Sequence, residues 1–138
     1  MADLKYTLGK IKFGEGLNLE DTAKIKVMLV TTAYVAAATA ADTMATVNAG
    51  EIAAGGGYSA GGSLLAGNAV TDDGGANMKF DGTNLTWAAS TITAGGAVLW
   101  DDDTVDTPIA LFDFAGDKIS SNGDFTINWN ASGILTLS

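Results

Sequence analysis

Four carboxylates crowd into one short stretch, Asp101-Asp102-Asp103 with Asp106 just beyond. Neighbouring carboxylates in a loop are groups that can hold a hard cation, and calcium asks for about six to eight oxygens. The spacing departs from the D-x-[DN]-x-[DN]-G frame, and a connection between two strands is solvated in any case. Asp101, Asp102, Asp103 and Asp106 are thus the candidates for a metal, and the preferred reading is a solvated loop without metal or cofactor. Asp72-Asp73-Gly74-Gly75 reads as a turn on the same grounds. Paired carboxylates also serve glycosidases as acid and nucleophile, but thirteen aspartates in a chain of 138 residues produce pairs by chance. Trp87, Trp100 and Trp129 are possible sugar platforms, yet each ends a strand-like run. A single sheet core needs large side chains there. Asn84-Leu85-Thr86 and Asn130-Ala131-Ser132 match the glycosylation pattern, which carries no weight without a secretory signal.

The absences are more decisive. The chain has neither cysteine nor histidine, and all seven basic residues are lysine. That removes a disulfide framework, thiolate and imidazole metal sites, and histidine-activated nucleophiles. The glycine cluster Gly55-Gly56-Gly57 lies in no phosphate-loop frame, so it serves positive φ or close backbone approach. No enzyme is expected. A net charge of −9 repels phosphate backbones, which excludes nucleic acid as a partner. No apolar run approaches the ~20 residues of a membrane helix and no targeting segment is visible, so no membrane partner is expected.

These residues need elements to hold them, and the pattern is mostly strand. Lys24 to Val30 alternates through Ile25, Val27 and Leu29, then turns apolar on both faces, as a strand entering a buried position does. Residues 36–54 are alanine-rich, and the reading is an irregular crossing with a short helix capped by Asp42 and ended near Asn48 or Gly50. Strands follow at Tyr58 to Leu65, Asn77 to Phe80 and Thr83 to Trp87, the last two joined by an Asp81-Gly82 hairpin turn. Thr91 to Trp100 is a long strand with a bulge expected at Gly95-Gly96. Pro108 opens Ile109 to Phe114, and Asn122-Gly123 precedes Asp124 to Trp129. Ser132-Gly133 leads into Ile134 to Leu137. No internal repeat stands out. The fold class is all-β: an antiparallel β-sandwich, jelly-roll or immunoglobulin-like, with a short N-terminal arm or helix.

Charge divides the chain. Residues 1–26 hold Lys5, Lys10, Lys12, Lys24 and Lys26 against four acids, while the remainder sets Lys79 and Lys118 against twelve. The organisation expected is an arm over residues 1–16 and one β domain over 17–138. In the arm, Leu4, Leu8 and Ile11 fall at helical spacing, weakened by Gly9.

Several blocks together resemble a family of small virion proteins of tailed bacteriophages. They are Ile25 to Tyr34, the glycine-rich Gly55 to Gly67, Trp87 with Thr91 to Trp100, Pro108 to Gly116, Asn122 to Trp129, and Gly133 to Leu137. The similarity covers about residues 17–138. It implies a non-enzymatic virion component, either a decoration (cement) protein on the head surface or a tail, collar or fibre-associated protein. A carbohydrate-binding β-sandwich is the alternative outside the family. The decoration reading implies the major capsid protein as partner, with the chain made in the bacterial host cytoplasm. Free sheet edges lead us to expect a homo-oligomer as well. The arm then becomes the anchor, through Lys5, Tyr6, Lys10, Lys12 and Phe13, ordering on contact.

Overall fold

The computed structural model describes residues 4–72, 74, 78–131 and 133–137. Asp73, Gly75, Asn77 and Ser132, which entered the readings above, lie outside the described residues. Strands take 44% of the chain against 16% helix, in antiparallel sheets, so the all-β class holds. In chain order the elements are β1 (Leu4–Lys5), α1 (Thr7–Gly14), β2 (Ile25–Val30), α2 (Thr32–Ala37), α3 (Met44–Ala49), β3 (Ser63–Leu64) and β4 (Ala69–Asp72). Then come β5 (Met78–Asp81), β6 (Leu85–Ser90), β7 (Thr93–Asp101), β8 (Thr107–Ile119), β9 (Gly123–Ile127) and β10 (Leu135–Leu137). One sheet runs β1-β8-β7-β2-β3, a second β10-β5-β4, and a third β6-β9.

The centre is β2 on β7, in continuous register from Ile25 opposite Asp101 to Val30 opposite Gly96. Because side chains alternate along a strand, Ile25, Val27 and Leu29 enter one core with Phe80, Leu85, Trp87 and Phe125 of the smaller sheets. Met28 and Val30 enter another with Val98, Trp100 and Leu111, closed over by Tyr34 and Val35 of α2 and Val47 of α3. Both faces of β2 are buried, which is why its second half needs apolar residues at every position.

Several local expectations change. The Asp81-Gly82 step is no hairpin: β5 pairs with β4 and β10, and β6 pairs with β9. Both edges of β5 are occupied, and the Thr83 N–H and hydroxyl bond Ala66 O at 2.8 and 3.0 Å, drawing the chain across to another loop. The hairpin instead joins β4 and β5 through the Asp72 turn, where Gly74 N–H donates to Asp72 Oδ1 at 2.7 Å. Little of Tyr58 to Leu65 is strand, only Ser63–Leu64. The alanine-rich crossing holds the expected short helix, α3, ended at Gly50, but Thr43 caps it in place of Asp42, and a further helix, α2, leads into the crossing. Asp42 is taken by other donors, the Tyr34 hydroxyl at 2.9 Å and Thr39 N–H at 3.1 Å.

The long strands fit better. Register shifts between Ala94 and Gly96, where a Cβ on Gly95 would run into the Thr32 backbone at the start of α2. Pro108 sits at a second register shift in β8, where a missing N–H costs no rung. Strand β8 continues past Phe114 to Ile119, turning through Ala115 at φ 60° and Gly116 at φ 127°.

Of the two forms expected for the N-terminal segment, arm or helix, the helix is present as α1, and the segment is docked on the body. Leu4 and Lys5 pair with Leu111 and Ala110 at the edge of the main sheet. Tyr6 is fully buried in the second core. The α1 helix packs on β8 through Gly9, and Phe13 reaches the first core. A period of 3.6 explains the choice: Gly9 and Phe13 share one face, and Leu8, Ile11 and Glu15 share the other.

Candidate functional site

Where α1 crosses the end of β7, the lysines of the N-terminal segment meet the acidic stretch. Asp101 is the last residue of β7, buried at 3% exposure, and not part of a solvated loop as its sequence surroundings suggest. Lys12 Nζ lies 2.7 Å from its Oδ2 and also donates to Val105 O at 2.9 Å. Lys24 pairs with Asp103 at 3.1 Å, and Lys26 with Asp102 at 2.7 Å. Lys26 also lies over the Trp100 ring, 5.5 Å from its centroid. The cluster is thus a row of lysine–carboxylate pairs fastening α1, β2 and the β7–β8 connection together. Among the described residues, no group of three or more acidic side chains is placed to hold a metal ion.

Asp106 behaves differently. Desolvation and then the neighbouring Asp102 carboxylate push its pKa above the ordinary aspartate value, making it a weaker acid, against a smaller opposing pull from Lys12. Backbone hydrogen bonding at Thr104, then Lys24, holds Asp103 below it. Negative potential therefore survives on the Asp106 side even though lysines stand nearby.

Beside this cluster runs a groove of about 400 Å³, lined by Leu8, Ile11 and Lys12 of α1, by Glu15 at its C-cap, and by residues 103–106 of the connection. Its apolar side chains are exposed: Leu8 at 37%, Ile11 at 53% and Val105 at 70%. Large exposed hydrophobic residues are otherwise only Leu64 and Ile119 among the described residues. Contiguous exposed apolar surface rimmed by polar groups marks interaction sites. Helical phase could have found half of this surface, since Leu8 and Ile11 lie one turn apart and opposite Gly9. Val105 carries no such signal.

The five residues expected to anchor a partner are mostly engaged internally. Lys5 Nζ bonds Thr136 O at 2.8 Å, joining the first and last strands. The Tyr6 hydroxyl meets that of Tyr34 at 2.7 Å. Lys12 holds Asp101, Phe13 packs inward, and Lys10 is exposed, as is Lys5.

Two of the three tryptophans, Trp87 and Trp100, are buried and the third, Trp129, is half-buried. Trp129 stacks edge-on against Phe112 with its indole N–H on Thr83 O at 2.9 Å. The remaining buried hydroxyls are also engaged: Tyr58 donates to Glu51 at 2.6 Å and accepts from Leu29 N–H at 3.0 Å. Ser90 and Ser120 bond each other at 2.9 Å. These groups tie elements together.

No family model, no curated protein and no solved structure matches the chain.

Proposed function

We propose that the chain is a non-enzymatic structural protein of a tailed-bacteriophage virion, a decoration protein that binds the major capsid protein on the mature head. It is made in the cytoplasm of the bacterial host. The observation that carries this reading is the exposed Leu8–Ile11–Val105 groove on a body whose other polar groups are largely satisfied. A protein that works by contact needs complementary surface and no reactive group. The resemblance of the strand blocks to small virion proteins supports the same role. The contact surface, on this reading, is the outer face of α1, because the lysines and aromatic residues first suited to an arm are engaged within the fold.

We read the architecture as an antiparallel sandwich, in which the two smaller sheets share a core with one face of the main sheet. Helices cover the opposite face. Self-association would use edge strands such as β6 or β9.

Binding only to the mature shell would stabilise it by mass action. At about 100 times the dissociation constant, each site contributes about 2.7 kcal/mol. Quantitative mass spectrometry of particles purified from a host carrying the gene tests the proposal. Hundreds of copies per particle are expected. A single ring's complement would place the chain on the tail or collar, and its absence from particles would end the virion reading.

A further inference from the structure

We propose that the groove between α1 and the β7–β8 connection docks a segment of another protein in which an apolar side chain adjoins a lysine or arginine. The floor supplies the first half of that chemistry. Leu8, Ile11 and Val105 converge from two elements and stay in water when the chain is alone. Covering them removes apolar area from solvent, worth roughly 25 cal/mol per Å².

The walls supply the second half. Glu15, Asp103 and Asp106 line the groove together with Lys12, whose ammonium is turned to Asp101 at 2.7 Å. Lys24 and Lys26 are likewise committed to Asp103 and Asp102. Asp106 is exposed on the groove wall beside the Asp102 carboxylate, a pairing of like charges that an incoming cation relieves. Charge also selects among occupants. A second copy brings its own −9 to this acidic rim, so like charges oppose self-docking here. A basic partner is favoured by the same field.

The inference deepens the virion reading, in which the segment belongs to the shell subunit, but its test needs no particles. The probes are three synthetic peptides of equal length: alternating Leu/Lys, Leu/Glu and Ser/Lys. Fluorescence anisotropy with the full chain measures each affinity. The Leu/Lys peptide is expected to saturate and to bind at least about tenfold more tightly than the other two, a tenfold step being about 1.4 kcal/mol. Ile11→Ser and Val105→Ser, both at exposed positions, are each expected to weaken it about tenfold, with circular dichroism checking that each variant folds. Asp106→Asn should weaken the Leu/Lys peptide and narrow its margin over Leu/Glu.

Equal binding of Leu/Lys by wild type and both serine variants would overturn the proposal, because it would reveal only attraction to an acidic body. So would Leu/Glu binding as well as Leu/Lys. Sedimentation showing a peptide-free oligomer that Ile11→Ser dissolves would assign the groove to a second copy, and also overturn it. Failure is separable from that of the virion reading. A chain abundant in particles but unselective toward peptides loses only the groove, and the reverse result loses only the virion.

Discussion

A buried tyrosine illustrates how single groups are held in this protein. The Tyr6 hydroxyl touches Tyr34, whose hydroxyl in turn donates to Asp42, so three residues far apart in sequence form one chain of hydrogen bonds. Burial raises the Tyr6 pKa to about 12; the hydrogen bond with Tyr34 works the other way, and the Asp42 charge adds to the rise. Burial alone would also raise Asp42, but hydrogen bonds from Thr39 and Tyr34 outweigh it and hold the carboxyl below its ordinary range. The sign for Tyr6 follows from linkage. Its folded value exceeds the unfolded one of about 10, so its contribution is complete below about pH 10 and is lost as pH climbs toward 12. Urea midpoints are expected to be level to about pH 9 and then to fall, with Tyr6→Phe falling less steeply than wild type. Parallel curves for the two proteins would show that the hydroxyl ionises as readily folded as unfolded. None of this was legible in the sequence, where Tyr6 reads as an aromatic anchor between lysines. The partner that buries it arrives from residue 34.

At the scale of the element, α1 is held by docking more than by its own propensity. It starts at Tyr6 without a side-chain cap and carries no acid in its first turn, two features that weaken an isolated helix. Gly9 lies against β8 so closely that a Cβ would stand 2.8 Å from Ile109 Cα and Pro108 O. Propensity and packing therefore predict opposite signs for Gly9→Ala. The helix gains ~1 kcal/mol, and overpacking against backbone costs about 1–3 kcal/mol. Packing is expected to win, by about 1 kcal/mol, in chemical denaturation; a stabilised variant would mean that α1 can lift from the sheet without loss. The ion pair beneath the helix makes a second test. Lys12→Met leaves the buried Asp101 carboxylate without its cation and should cost about 3 kcal/mol. Lys12→Met combined with Asp101→Asn should recover more than half, since the uncompensated charge is then gone. Equal losses in the single and double variants would argue that the pair contributes only its packing. The glycine that lowered the expectation of a helix is thus the residue that permits its contact with β8. Helical spacing was visible in the sequence, while the docked face was not.

For the whole molecule, the question is whether the first residues belong to the fold. Deleting residues 2–13 removes a fully buried aromatic side chain, a loss of about 3–5 kcal/mol by itself. The melting temperature is expected to drop by roughly 10 °C or more, read by circular dichroism. An unchanged melting curve would restore the detachable arm. Strands such as β2 and β7 were readable because alternation, double-faced hydrophobicity and the Gly95-Gly96 interruption are properties of neighbouring residues. The absence of cysteine and histidine, the acidic balance and the β-rich class were equally determined by the residues alone, since they depend on composition and short-range period. Tertiary structure decided the rest. It chose that Asp81-Gly82 would carry the chain between sheets, that Asp101 would lie buried beneath Lys12, and that Leu8, Ile11 and Val105 would share an open groove. Those outcomes turn on contacts between residues many positions apart. The free energy of each contact depends on what the rest of the chain has already covered.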